Sequence, residues 1–170
     1  MSSETAFLTQ MRTATVSSGI SLAYATAGPA ASSRSILLVH GYPQTAFSMR
    51  HVAKALAEKG FYVVAVDYRG AGGSSMPPDG YSKMTMASDL HSLMTKKLHR
   101  QRYIVLGHDI GSMVVTAQAL TFRDNVEALI MMGAILAGRW SSTRLLFLQP
   151  VQNVLSQAQK PTLVSSRIAI

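Results

Sequence analysis

The feature that most restricts the fold of this chain is the alternation of short apolar runs with longer segments of helical periodicity. The apolar runs are residues 35–39, 61–66, 103–106 and 128–132. The helix-like segments are residues 44–59, 84–98 and 110–122. Strands without polar positions are typical of parallel sheets covered on both faces. With a predicted hairpin of strands at 13–16 and 20–26, this order predicts an α/β domain, with a mostly parallel sheet and helices on both faces.

Composition limits the classes of protein to consider. The 170 residues are 48% hydrophobic and 14% charged, as in a globular domain, and they include no cysteine for disulfides or thiolate metal sites. No signal peptide or membrane span is evident, which predicts a cytoplasmic protein without a membrane partner. The net charge of +8 raises the question of nucleic acid. The dense basic cluster, at 96–102, ends a predicted helix and accompanies no nucleic-acid motif, so no nucleic-acid partner is predicted. No metal and no cofactor are predicted either.

Two loops directly follow predicted strands, where parallel sheets bind ligands. In the first, His40-Gly41-Tyr42-Pro43, a glycine and a proline suit an oxyanion hole built from backbone amides. The alternative is a turn that merely ends a strand. In the second, residues 67–74, a structural role is favoured, because the glycine spacing matches neither a dinucleotide nor a Walker loop.

A third motif, Gly107-His108-Asp109-Ile110-Gly111, stands between a predicted strand and a predicted helix. Strand, glycine-flanked reactive residue and helix form the pattern of a nucleophile elbow. Here an aspartate occupies the position that usually holds serine. A carboxylate can attack carbon without a base and form an ester. The alternative reading of Asp109 is an ordinary helix N-cap.

Taken together, these motifs resemble the first half of an α/β-hydrolase of the epoxide hydrolase-like group. The similarity covers about residues 12–134 and rests on His40 to Gln44, the 67–74 loop, Gly80-Tyr81, Met84 to Ala87, Asp89-Leu90 and Gly107 to Gly111. The resemblance implies that Asp109 is the nucleophile, with the amides of Tyr42 and Ile110 as the oxyanion hole. It implies a small organic substrate, an epoxide or a related compound, and no cofactor.

The sequence departs from that family after the elbow. In the family, a base histidine, an orienting acid and a lid follow the nucleophile, whereas the last histidine here is His108 and the last acids are Asp124 and Glu127. His108 itself is expected to point away from Asp109. We therefore expect a chain that forms the alkyl-enzyme ester without turning over.

Residues 1–134 are interpreted as the N-terminal half of the hydrolase core, without its lid and C-terminal strands. Residues 135–170 are interpreted as a divergent tail from a truncated or misread gene model or a splice variant, with a natural small protein as the alternative. The strand at 128–132 is then an apolar edge that favours self-association unless residues 145–155 cover it. Three alternatives stay open: a non-catalytic interaction fragment, a dehalogenase-type hydrolase, and a nucleotide-binding module. The dehalogenase is disfavoured because Ile110 stands where those enzymes usually place a halide-binding tryptophan.

Overall fold

The computed structural model describes residues 11–133 and the backbone of residues 146–147. The strands are β1 (Arg12–Ser17), β2 (Ile20–Ala27), β3 (Ser35–Val39), β4 (Tyr62–Val66), β5 (Tyr103–His108), β6 (Val126–Met132) and β7 (Leu146–Phe147). The helices are a 3₁₀ turn (Ala46–Met49), α1 (Arg50–Glu58), α2 (Lys83–Ser92), a π turn (Leu93–Lys97) and α3 (Ile110–Thr121). They form the predicted α/β arrangement, which is confirmed.

All seven strands belong to one sheet in the order β1-β2-β4-β3-β5-β6-β7. The centre, β4-β3-β5-β6, is parallel, while β1, β2 and β7 join it through antiparallel pairs. Val39 pairs with Gly107, and His108 pairs with Met132. This register brings the loops that follow β3, β5 and β6 to the same edge of the sheet.

The core lies on both faces of the sheet. Ile36 and Leu38 of β3 pack on the side of the 3₁₀ turn and α1. Leu37 and Val39 pack on the opposite side, with residues of α2 and α3. Each of these four side chains is at most 1% exposed, and burying one contributes about 1.5–3 kcal/mol. This two-sided burial explains why β3 has no polar side chain between residues 36 and 39.

Two helices differ from their sequence predictions. The segment expected to be helical from Gln44 starts as a 3₁₀ turn at Ala46, which leaves Gln44 in the preceding turn. The helix expected over 84–98 widens into a π turn, in which the N–H of Leu98 donates to the carbonyl of Leu93 at 3.0 Å. The three consecutive residues 93–95 are all buried there, which a regular α-helical stripe does not allow.

The outer edge of β6 is partly paired. Ile130 and Met131 lie opposite Phe147 and Leu146 of β7 in an antiparallel pair. This segment falls inside the 145–155 stretch that was expected to cover the edge. The remainder of the predicted tail, residues 134–145 and 148–170, lies outside the described residues, as do residues 1–10. Within the described part of the chain, no helix is long and apolar enough to cross a membrane.

Candidate active site

Asp109 occupies a strained position between β5 and α3. Its backbone has φ 50° and ψ −119°, a region that costs a non-glycine residue about 1–3 kcal/mol. Its N–H donates to the carbonyl of Met132 at 3.0 Å, and its carbonyl accepts the N–H of Ser112 at 2.9 Å. The backbone is thus fixed on both sides, and the side chain projects from a sharp strand-to-helix turn, as in a nucleophile elbow.

The two flanking glycines let the elbow pack tightly. A Cβ atom at Gly107 would lie 2.5 Å from the carbonyl carbon of Gly111. One at Gly111 would lie 2.5 Å from the carbonyl oxygen of His40, and closer still to that of Val39. A side chain at Gly107 would therefore push α3 away from β5, and one at Gly111 would push it away from the end of β3.

The carboxylate of Asp109 does not cap α3. The side chain makes no capping hydrogen bond to the helix. Instead, Oδ2 accepts the backbone N–H of Tyr42 at 3.1 Å. The ordinary N-cap reading of this aspartate is therefore wrong, and the carboxylate faces the turn that follows β3.

That turn, residues 40–44, closes through the N–H of Gln44, which donates to the carbonyl of Gly41 at 2.9 Å. The Tyr42–Pro43 peptide bond is cis, and the side chain of Tyr42 is 74% exposed. Gly41 is needed for the close approach, because a Cβ atom there would lie 2.7 Å from the Cβ of Asp109. The second amide of the predicted oxyanion hole belongs to Ile110, the first residue of α3, where amides have no carbonyl partner within the helix.

His40 supports the turn from inside the protein. Its ring is fully buried, and Nδ1 lies 2.8 Å from the carbonyl oxygen of Gly41. The ring stacks on Tyr68 with centroids 4.2 Å apart, and Nε2 lies 3.8 Å from Oδ1 of Asp67. Burial lowers the pKa of His40, against the opposing effects of its bond to Gly41 and of the charge on Asp67. A buried ring with a lowered pKa is suited to packing beneath the turn.

The loop at 67–74 is held by Asp67. Its Oδ1 accepts the N–H of Ala46 at 2.6 Å, and its Oδ2 accepts that of Gly73 at 3.0 Å. The neighbouring Tyr68 has a raised pKa because of burial, and then because of the charges on Asp109 and Asp67. The hydrogen bonds of Asp67 thus fix this loop against the 3₁₀ turn. The loop lies close enough to the elbow for the charge of Asp109 to affect the pKa of Tyr68.

His108 does not point away from Asp109, so that expectation is wrong. Its Nδ1 and Oδ2 of Asp109 lie 2.9 Å and 3.0 Å, respectively, from the place that a Cβ on Gly41 would take. The strained dihedrals of Asp109 end the strict alternation of side chains along β5. The ring instead contacts Gln44, whose Oε1 lies 3.2 Å from Nδ1 of His108. The helical pattern did not predict this contact, because it places Gln44 at the start of a helix.

His91 and His99 lie on the segment that precedes β5. His91 contacts the hydroxyl of Tyr103 at 3.1 Å and stacks on Phe122, and His99 is exposed between the π turn and β5. Among the residues described, no three histidine or acidic side chains form a group that could hold a metal ion. The chemistry that this arrangement offers is therefore that of a positioned carboxylate beside backbone donors.

Comparison with known families places this geometry. The family model for the alpha/beta hydrolase fold matches residues 34–166. The chain belongs to this family. The match extends into the segment 135–166, for which divergence was predicted, and the boundary at 134 stays a prediction. The three predicted motifs, at 40–43, 67–74 and 107–111, all fall within the matched region.

Individual relatives show which members of the alpha/beta hydrolase family this chain is similar to. A soluble epoxide hydrolase from Corynebacterium sp. is 40% identical over 117 residues, which are 69% of this chain and 39% of that protein. A fluoroacetate dehalogenase from Burkholderia sp. is 40% identical over 105 residues, 59% of this chain and 34% of the relative. The crystal structure of epoxide hydrolase A from Mycobacterium thermoresistibile superimposes with a TM-score of 0.66 at 33% identity, covering 71% of this chain and 38% of that one. The predicted resemblance to epoxide hydrolase-like enzymes is confirmed, and the chain spans less than half the length of these relatives.

Proposed function

We propose that this chain carries the nucleophile of an epoxide hydrolase-like enzyme, with the carboxylate of Asp109 attacking a carbon atom of a small epoxide. The observation that carries the proposal is the position of that carboxylate. It projects from the strained elbow and accepts the N–H of Tyr42 instead of capping its own helix. A structural aspartate does not need this strain, which is typical of functional positions.

The proposed step is a displacement that forms an ester. An oxygen of Asp109 bonds to an epoxide carbon, the ring C–O bond breaks, and its electron pair moves to the ring oxygen, which takes a proton from water. The product is a hydroxyalkyl ester of Asp109. In a second step, water attacks the ester carbonyl, and the amides of Tyr42 and Ile110 stabilise the negative charge that develops on the carbonyl oxygen. The acyl C–O bond of the ester then breaks, the diol leaves with a proton from the attacking water, and Asp109 regains its carboxyl group.

The second step needs a general base for the water. In the described part of the chain, Nδ1 of His40, His91 and His108 contacts Gly41, Tyr103 and Gln44, respectively, and no hydrogen bond joins any of these three rings to Asp109. We therefore propose that this chain forms the ester and hydrolyses it slowly.

Intact-protein mass spectrometry tests the proposal. The chain is incubated with a small aryl epoxide, and we expect one added substrate mass that persists after the epoxide is removed. Asp109→Ala should show no addition, whereas Asp124→Ala, which alters an exposed acid outside the site, should label normally. Labelling that is unchanged in Asp109→Ala would contradict the proposal. Rapid loss of the added mass, with diol release, would contradict slow hydrolysis.

A dehalogenase is the second candidate, since the Burkholderia relative matches with the same identity as the Corynebacterium one. Displacement of halide from a 2-haloacid at the same carboxylate would give a carboxymethyl ester. Incubation with fluoroacetate in place of the epoxide separates the two candidates by the added mass. We expect the epoxide to label the protein faster, because Ile110 offers no N–H side chain to a departing halide.

A further inference from the structure

The side chain of Gln44 joins the two halves of the candidate active site. Its Oε1 accepts the N–H of Gly41 at 3.3 Å and lies 3.2 Å from Nδ1 of His108. A carboxamide oxygen only accepts, so this second contact requires a proton on Nδ1 of His108. One acceptor thus connects the turn after β3 with the last residue of β5.

The two groups that this contact joins are neighbours of the reacting pair. Tyr42, whose N–H reaches Asp109, lies between Gly41 and Gln44 in sequence, and Asp109 directly follows His108. The side chains of Tyr42, Pro43 and Gln44 are all exposed, so burial of side chains does little to hold this part of the turn. The direction of the Tyr42 amide therefore depends on the hydrogen bonds that close the turn.

The geometry points to Gln44 and His108 as a positioning pair that keeps the N–H of Tyr42 directed at the carboxylate of Asp109. This inference rests on the proposed function, because it assigns these residues to the same site. Neither residue touches substrate in this role. They act through the amide, by restricting the turn to the orientation in which the carboxylate is already hydrogen-bonded before a substrate arrives.

A purely structural role for the pair makes a different forecast. Gln44 is exposed, and losing its two hydrogen bonds should leave the folded core unchanged. A structural contact alone would leave the Tyr42 amide on Asp109. A positioning contact would release that amide while the rest of the protein stays folded.

Nuclear magnetic resonance distinguishes the two roles without any activity. The amide proton shift of Tyr42 is followed against pH in ¹⁵N-labelled protein, because an N–H bonded to a carboxylate responds when that group gains a proton. Asp109→Asn, which removes the ionisable carboxyl group, defines the part of the change that is due to the carboxylate. We expect Gln44→Ala to lose most of that part.

Control variants keep the result specific. Gln101→Ala removes another exposed glutamine, whose Nε2 donates to the carbonyl of Thr95. It should leave the pH dependence of the Tyr42 amide proton shift unchanged. His108→Asn retains a donor near the Nδ1 position and should preserve the titration, whereas His108→Phe should lose it. If the amide proton shift of Tyr42 keeps its full carboxylate-dependent change with pH in a folded Gln44→Ala protein, the inference is overturned.

The same variants connect the pair to the chemistry. Gln44→Ala should slow epoxide labelling of Asp109 roughly 2- to 10-fold, as expected for one net hydrogen bond, with His108→Asn close to the unaltered chain. If the unaltered chain is not labelled but Gln44→Ala still releases the Tyr42 amide, the proposed function fails and the positioning pair stands. If labelling succeeds at an equal rate in both and the amide does not change, the positioning pair alone is refuted.

Discussion

The buried ion pair between Arg69 and Asp89 gives a prediction that can be worked out in detail. Nε of Arg69 lies 2.5 Å from Oδ2 of Asp89, and the two side chains are 7% and 6% exposed. Nη1 of Arg69 also donates to the carbonyl of Gly80 at 3.0 Å. The pair fastens the loop after β4 to α2. Asp89→Ala would leave a buried guanidinium with that carbonyl as its remaining hydrogen-bond partner among the described residues, together with the weaker attraction of the charge on Asp79.

The expected loss is about 3–5 kcal/mol in the free energy of unfolding, because an unpaired buried charge keeps its desolvation cost. The matched control is Glu58→Ala on α1. There the Lys54–Glu58 pair is 4.0 Å long with side chains 64% and 66% exposed, so the expected loss is below about 0.5 kcal/mol. Urea unfolding followed by far-ultraviolet circular dichroism measures both values.

A double variant separates the charge from the packing. Replacing both partners by apolar residues, Arg69→Met with Asp89→Leu, removes the unpaired charge and should recover most of the stability that Asp89→Ala loses. A loss below about 1 kcal/mol in Asp89→Ala, or one equal to that of Glu58→Ala, would refute the reasoning. It would mean that Arg69 reaches solvent when its partner is removed.

Three further predictions concern buried groups. Burial lowers the pKa of His40, and burial together with the charge of Lys96 lowers the pKa of His91, below the usual 6.5. The unfolded chain therefore binds more protons than the folded one, so the free energy of unfolding should fall as the pH drops below about 6.5. A urea midpoint that rises as the pH is lowered from about 6.5 to about 5 would contradict this. Burial raises the pKa of Tyr103 to about 12 and also raises that of Tyr68, so an ultraviolet titration should show late-titrating tyrosine absorbance, part of which disappears in Tyr103→Phe. Gly111→Ala should cost about 1–3 kcal/mol and prevent epoxide labelling, because its Cβ would meet the carbonyl oxygens at the end of β3; normal labelling would argue against the tight elbow.

Much of the fold was predictable because burial on both faces leaves a direct mark in sequence. The short, wholly apolar run at Ile36 to Val39 favours a strand covered on both faces, and the structure confirms it. Hydrogen-bond registers within helices leave no such mark. The π turn at Leu93–Lys97 and the 3₁₀ turn at Ala46–Met49 depend on tertiary packing, so periodicity predicted plain α-helices there.

The candidate site was predictable where it depends on strand ends. Parallel strands bring their carboxyl ends together, so the meeting of Tyr42 and Asp109 follows from the order of their motifs. The contact between Gln44 and His108 joins residues that are 64 positions apart, and it depends on how the strained elbow turns the side chains. Neither the spacing of Gln44 and His108 nor their residue types predict this contact.

The most direct test of the central claim is to locate the ester after reaction with an aryl epoxide. The labelled protein is digested, and tandem mass spectrometry assigns the added mass to a residue. We expect one modified residue, Asp109, with a bond that hydroxylamine cleaves, as it cleaves esters. Modification spread over histidine, lysine and methionine side chains, with Asp109 unmodified, would contradict the assignment of Asp109 as the nucleophile.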